Sequence, residues 1–421
     1  SLADPDWHIP QPEIKPAVLL EKIVQSGHFD DAVGALLPGH RDYRKLRAAL
    51  IRYTDIRKSG GWPELQPGGR KLEPGDASED IQKLRRQLWM VGDLAQDDVP
   101  GYVYDAALER AVIRFQQRHG LLGDGIIGKR TRAALAVPVD QRIEQIRLNL
   151  ERWRWLPRDL GPRYITVNTA AFELQVHDQD TVPLSMRVIV GRKRHPTPVF
   201  TEKMSYLIVN PYWHVPTRVA IRELIPKQLS DPGYFQSRNI RVLSGWQPGA
   251  VEVDPDQVDW QAYLNGRYFP YKLRQDPGPG NALGRIKFML PNRFSIYLHD
   301  TAGRQLFNKP VPTFSAGCVR VEKPMALANY VFGLQQPAAQ ARLETLISQE
   351  EKQIIPLPDP IPVYLLYQTA WVGEGETLQF MTFTGMIAGS RRRCPGKLPR
   401  NGATGMPKIC WLRLHWACCN S

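Results

Sequence analysis

Two apolar spacings divide this chain near Gly161. Upstream, apolar residues recur every three or four positions, the period of a helix with one buried face. Pro16-Ala-Val-Leu-Leu-Glu-Lys-Ile-Val-Gln and Tyr43-Arg-Lys-Leu-Arg-Ala-Ala-Leu-Ile-Arg-Tyr each predict a helix, and Trp62-Pro63, Pro67-Gly68-Gly69 and Pro74-Gly75 break the pattern. Ile81, Leu84, Leu88 and Val91 mark another helix, Leu108, Ala111, Val112 and Phe115 the next, and Thr131-Arg-Ala-Ala-Leu a short third. Asp140 to Leu156 reads as a connecting helix carrying Ile143, Ile146, Leu150 and Trp153, and Pro157 ends it. Downstream the period shortens toward two. Tyr164-Ile-Thr-Val-Asn, Phe172-Glu-Leu-Gln-Val-His, Ser185-Met-Arg-Val-Ile-Val and Ser205-Tyr-Leu-Ile-Val predict strands. Gly284-Arg-Ile-Lys-Phe-Met-Leu and Arg293-Phe-Ser-Ile-Tyr-Leu-His predict a hairpin across Pro291-Asn292, and Val363-Tyr-Leu-Leu-Tyr-Gln-Thr-Ala-Trp a closing strand. Residues 217–283 form a long aromatic, Pro/Gly-rich insert with one clear helical start, Arg218 to Leu229. Such an insert in a β domain is expected to be a lid.

These patterns predict a multidomain α+β chain. Residues 1–77 form a helical scaffold, 78–137 a three-helix module and 138–160 a linker helix; 161–380 form a mainly β domain with 217–283 as its lid. The 421 residues suit two or three domains, and no run approaches the roughly 18 apolar residues of a membrane span. The chain opens at Ser1 without an initiator Met or leader, the pattern expected of a mature form.

Charge changes the picture at one end only. The net charge is +13, but seven basic residues and no acidic ones lie between Met381 and Ser421, leaving +6 elsewhere. A basic excess suits nucleic acid, an anionic membrane or an anionic wall polymer, and no nucleic-acid motif is present. Four of five cysteines (Cys394, Cys410, Cys418, Cys419) sit in the same tail. With His415 they lack the paired Cys-x-x-Cys spacing of zinc sites, so no metal site is expected. Residues 381–421 are therefore expected not to be a domain.

Cys318 is then the one cysteine of residues 1–380, outside any internal disulfide. A lone Cys is ordinarily a buried small hydrophobe, but its context points to chemistry. Tyr297 and His299, two apart on a predicted strand, project from one face. A turn-rich loop leads from His299 to Ser315-Ala-Gly317-Cys318-Val-Arg320. Gly317 permits a sharp turn that frees amides for an oxyanion, and Arg320 could favour the thiolate or hold a carboxylate. A free thiol is mostly protonated at neutral pH and needs a base. Of nine His residues, only His299 ends a strand that leads directly into the Cys loop.

The segment resembles the catalytic motif of the L,D-transpeptidase (YkuD-domain) family, a His followed by Ser-x-Gly-Cys-x-Arg, here His299, Ser315, Gly317, Cys318 and Arg320. Phe115-Gln116, Gly120-Leu121, Asp124-Gly125-Ile126 and Thr131 resemble the peptidoglycan-binding-like module, which serves either as scaffold or as wall binder. The whole order is similar to the large periplasmic, YcbB-like branch. Two departures stand out: Ala316 fills a slot that holds a second His in some members, and Asp300 follows the His where many have Gly. In the family a carbonyl after the His orients the imidazole, and Asp300 would do so through its carbonyl or its side chain.

The resemblance implies a 3→3 cross-linking enzyme with a Cys318 thioester and His299 as base. Gly317 and Cys318 amides would form the oxyanion hole, and Tyr297, Asp300, Ser315, Arg320 and Trp213 would bind or orient substrate. Trp213 is otherwise a core tryptophan, and Tyr297 a packing residue. The implied partners are tetrapeptide donor and acceptor stems of peptidoglycan, carbapenem β-lactams as covalent inhibitors and other wall-synthesis enzymes, with no nucleic acid and no cofactor. The implied location is a Gram-negative periplasm, with anchoring through an N-terminal segment outside this chain. A carboxypeptidase or wall-protein-anchoring transferase on the same thioester, and a non-catalytic wall-binding protein, are the competing readings.

Overall fold

The computed structural model describes residues 7–9, 16–26, 34, 37–65, 68–266, 268–333, 337–373 and 377–381. The basic tail, with its expected lack of a domain role, lies outside them.

The helical spacings become helices at Pro16–Ser26, Arg41–Lys58, Glu79–Val91, Ala106–Arg118, Lys129–Leu135 and Val139–Arg154. Their apolar stripes fill two separate cores. Ile81, Leu84, Leu88, Leu108, Ala111, Val112 and Phe115 close the three-helix module on itself. Tyr53, Ile143, Ile146, Leu150 and Trp153 pack instead against the chain's last described strands. In the module, the Gln116 amide donates to Asp124 Oδ1 (2.8 Å), the Ile126 carbonyl (2.9 Å) and Thr131 Oγ1 (3.1 Å). Its oxygen accepts from the Gly125 N–H (2.9 Å). The residues that carried the family resemblance are thus the ones tying the loop to the helices.

The strands are β1 Trp7–His8, β2 Arg163–Asn168, β3 Glu173–Asp178, β4 Thr181–Gly191, β5 Val199–Val209, β6 Trp213–His214, β7 Ile240–Leu243, β8 Glu252–Val253, β9 Lys272–Gln275, β10 Ile286–Met289, β11 Leu298–His299, β12 Thr313–Ser315, β13 Val319–Val321, β14 Gln353–Leu366, β15 Ala370–Val372 and β16 Leu378–Phe380. The main sheet runs β5-β10-β11-β13-β4-β3-β2-β14, and β14 pairs back onto β5, so the path closes as in a barrel. The expected closing strand is therefore longer than its apolar run. Its first half, from Gln353, follows β5 through a bulge between Pro356 and Ile361 before the Val363 run joins β2. The hairpin forms, but its second arm is strand only at Leu298–His299. Before it, the Asn292 side-chain carbonyl accepts from Phe294 and Ile296 N–H and holds the run in a turn.

The insert is more ordered than one helical start suggested. Its first helix passes through a π turn at Ala220–Leu224, just before Pro226, whose missing N–H cannot bond back to the turn behind it. Beyond it β6-β9-β7-β8 make a small sheet. Phe235, Val242, Trp260, Tyr263, Phe269 and Leu273 bury one another beneath that sheet, giving the insert its own core. No helix among the described residues is long and apolar enough to cross a membrane.

Candidate active site

Strand register sets the site. Across the barrel wall, Lys287 of β10 stands opposite His299 of β11, and His299 opposite Arg320 of β13. Residues paired in this way share a face, so the three side chains form one row with the imidazole between two cations. One step along the parallel β11–β13 pair brings Tyr297 opposite Cys318, and two steps along a strand return to the same face. Tyr297 and Cys318 therefore lie in the next row on the face of His299. The Tyr297 and His299 rings are 5.6 Å apart.

The loop carrying Cys318 is held from both sides. Gly317 adopts φ +124°, a conformation only glycine takes readily, and a Cβ there would meet Ile296 Cδ1 at 3.0 Å. The buried Ser315 hydroxyl donates to the Cys318 carbonyl (2.5 Å) and accepts from the Gly317 N–H (3.0 Å). Thr197 donates to the Gly317 carbonyl (2.7 Å) and accepts from the Gly191 N–H (3.0 Å). Gly191 is obligatory, because a Cβ there would meet the His195 carbonyl at 2.1 Å. The expected oxyanion pair is corrected by these bonds. The Gly317 N–H is bonded to the Ser315 hydroxyl and the Val319 N–H to the Tyr297 carbonyl, whereas no bond of the Cys318 N–H is found among the described residues. Thr197 lies far upstream of Gly317 in the sequence, and its role was invisible without the β4–β12 pairing.

His299 is buried, and the Asp300 backbone carbonyl lies 2.5 Å from its Nδ1. A carbonyl only accepts, so Nδ1 carries the proton and Nε2 keeps its lone pair. This separates the two readings of Asp300: the carbonyl orients the ring, while the carboxylate accepts from the Arg285 N–H (2.9 Å) and pairs with Arg304 (3.7 Å). Burial, helped by Arg320 and Lys287, lowers the imidazole to about 3. Burial likewise raises the Cys318 thiol, against the pull of Tyr297, Lys287 and Arg320. The resting pair is therefore neutral thiol and neutral imidazole.

The thiol is half-buried and donates to the Ser295 carbonyl (3.7 Å). Among the described residues no hydrogen bond joins it to His299; its other partner is Tyr297, whose phenol burial pushes above the usual range. Arg320 is half-buried, makes no ion pair among the described residues although the Glu223 charge acts on it, and has its Nε buried and unbonded. Trp213 pairs with Gln275 in the insert's sheet and packs against the insert's core. The next residue, His214, feels Lys287 and Lys352 of the barrel. The residue that sequence reasoning missed is Lys287. It lies 3.8 Å over the Tyr297 ring, and a lone Lys in a hairpin run carries no motif to reveal it. No group of described residues is arranged to hold a metal ion.

Residues 162–333 match the YkuD family, the L,D-transpeptidase catalytic domain, and residues 77–135 match the family described as "Putative peptidoglycan binding domain". Residues 1–50 match a scaffold-domain family. A Haemophilus influenzae protein described as a "Putative L,D-transpeptidase" is 37% identical over 232 residues, which are 55% of this chain and 46% of that protein. The chain thus spans less than half the length of that relative. A solved L,D-transpeptidase from Stackebrandtia nassauensis is 13% identical over 70% of this chain and 94% of its own, with a TM-score of 0.27. One from Xylanimonas cellulosilytica is 16% identical over 72% and 100%, with a TM-score of 0.22. Both superpositions are too loose to bear on fold or site. By these matches, the chain carries a YkuD L,D-transpeptidase catalytic domain at residues 162–333, downstream of a peptidoglycan-binding-type domain at 77–135.

Proposed function

We propose that the chain forms 3→3 cross-links between peptidoglycan stem peptides through a Cys318 thioester. The observation that carries this reading is the face shared by Cys318 and a neutral His299 whose Nδ1 is committed to the Asp300 carbonyl. In the acylation step the thiol leaves the Ser295 carbonyl and gives its proton to His299 Nε2 as sulfur attacks the carbonyl of the third, diamino-acid residue of a tetrapeptide. The tetrahedral oxygen takes the Cys318 N–H. The imidazolium returns its proton to the departing D-alanine amine. A second stem's side-chain amine then attacks the thioester, losing its proton to His299 and releasing the thiol. The folded lid beside the cleft favours amine over water. We place this activity in the periplasm, where the polymer is, and expect carbapenems to acylate the same sulfur.

The test is mass spectrometry of tetrapeptide muropeptides incubated with the full chain. Cross-linked dimer is the expected product. Tripeptide alone would make the chain a carboxypeptidase, and unchanged substrate would leave it a wall-binding protein. Cys318→Ala should lose the carbapenem mass adduct entirely; an adduct that persists removes Cys318 from the mechanism.

A further inference from the structure

Lys287 is a cation without a counter-ion. Among the described residues it makes no ion pair and no hydrogen bond; its ammonium lies 3.8 Å from the Tyr297 ring centroid and acts on the Cys318 sulfur. Ile354 of β14 lies beyond β5 in the row of Lys287, and Lys352 stands two residues before it, just ahead of that strand. From the lid, His214 shares a face with its register partner Arg274. The charges acting on His214 are all positive: Lys272 and Arg274 from its own sheet, Lys287 and Lys352 from the barrel. The lid and the barrel thus present cations to each other across one cleft. A half-buried ammonium with no acid beside it is unfavourable until an anion arrives, because burial strips its water without replacing the charge. Arg320, on the other side of His299, is a second half-buried cation, its charge partly offset by Glu223.

We propose that Lys287, backed by His214 and Lys352, is a carboxylate subsite on the lid side of Cys318, taking one free carboxylate of the stem peptide while Arg320 flanks the opposite side. The proposal rests on the stem-peptide reading above and adds to it a requirement: that carboxylate must be free, not amidated. Occupancy would also cancel one of the two cations that hold the His299 imidazole down, so the base strengthens when the substrate is seated.

The test compares kcat/KM for tetrapeptide stems with all carboxylates free and with each converted singly to its primary amide, using the full chain, Lys287→Met and Lys287→Arg. For one carboxylate, amidation should cost the wild type roughly 10- to 100-fold, the range of a charge-assisted hydrogen bond. Lys287→Met should lose a similar factor on the free stem and become indifferent to amidation there, while Lys287→Arg keeps the preference. Because the readout is a ratio, changes in thiol reactivity cancel. If Lys287→Met does not fold, His214→Ala on the lid strand carries the same comparison with a smaller fall in preference. A preference that survives both Lys287→Met and His214→Ala, or a wild type indifferent to every amidation, overturns the subsite alone. A wild type that consumes no stem at all overturns the parent reading with it.

Discussion

Protonation at Cys318 and His299 is set by burial before any substrate arrives, and its sign makes a prediction. With the imidazole lowered to about 3 and the thiol raised, the proton sits on sulfur through the neutral range. A preformed thiolate–imidazolium pair would instead give thiolate down to acidic pH. The alkylation rate by iodoacetamide, a neutral reagent, should therefore climb about tenfold per pH unit from 6 to above 8.5, with no plateau and no step near 6.5. A flat rate between pH 5 and 7 would show the ion pair and sink this assignment. The buried histidines also bear on stability. Burial lowers His177, which bonds Thr166 Oγ1 at 2.9 Å, to about 4. Its depressed folded value means the unfolded chain binds the proton first. Its contribution is present above the unfolded value near 6.5 and is lost as pH falls toward 4, at about 1.4 kcal/mol per unit. His299 acts in the same direction. Urea unfolding should thus show stability falling from pH 6.5 to 4.5, and His177→Gln should flatten that slope; an unchanged slope would remove His177 as its source.

Among the elements, the lid carries the sharpest expectation. Its core is built from Phe235, Trp260, Tyr263 and Phe269 and draws nothing from the barrel strands. Phe235→Ala should cost about 3–5 kcal/mol, as a large core truncation does. Hydrogen exchange should localise that loss to residues 217–275 and leave β2 to β5 protected, with product shifting from dimer toward hydrolysed tripeptide. Protection lost across both regions would mean lid and barrel unfold together. Sequence foretold the helices upstream of Gly161 closely, because a stripe at three- and four-residue spacing states both period and face, as at Ile81-Leu84-Leu88. It foretold β2 to β5 for the same reason, but it missed the helices Pro324–Val331 and Pro337–Ser348. It missed β6 to β9, where strands of two to four residues are too short to show alternation. It also missed the first half of β14, whose Pro356, Pro358, Pro360 and Pro362 disguise a strand with a bulge. At the site, the motif named Cys318, Gly317 and His299, but Lys287 and Thr197 reach it only through register and loop contact, which no local spacing encodes.

Across the whole molecule, the last described strands decide where the chain can be cut. Phe380 is 1% exposed and sits against Tyr53, His119 and the Arg142 guanidinium, which lies 4.5 Å over its ring. Arg118 of the three-helix module donates to the Leu378 carbonyl (3.2 Å), and Gln145 of the linker helix donates to the Thr369 (2.7 Å) and Met381 (3.3 Å) carbonyls. The β15–β16 hairpin is thereby a clasp joining scaffold helix, module and linker helix around one core. Deleting residues 385–421 spares every one of these contacts, so that shortened chain should keep the melting temperature of the full one within about 2 °C, a change worth about 1–2 kcal/mol in a protein of this size. Its carbapenem adduct should form at the full chain's rate. Ending the chain at residue 368 removes Phe380 and, at once, the hydrogen bonds that Arg118, Gln145 and Asn149 make to the hairpin, although Arg118 keeps its pair with Asp93. That chain should lose far more than the 3–5 kcal/mol of a single aromatic truncation, and Phe380→Ala should fall between the two. Calorimetry of the three variants separates the cases: a large loss on removing 385–421 would make the basic tail part of the fold, whereas a harmless cut at 368 would mean the clasp holds nothing.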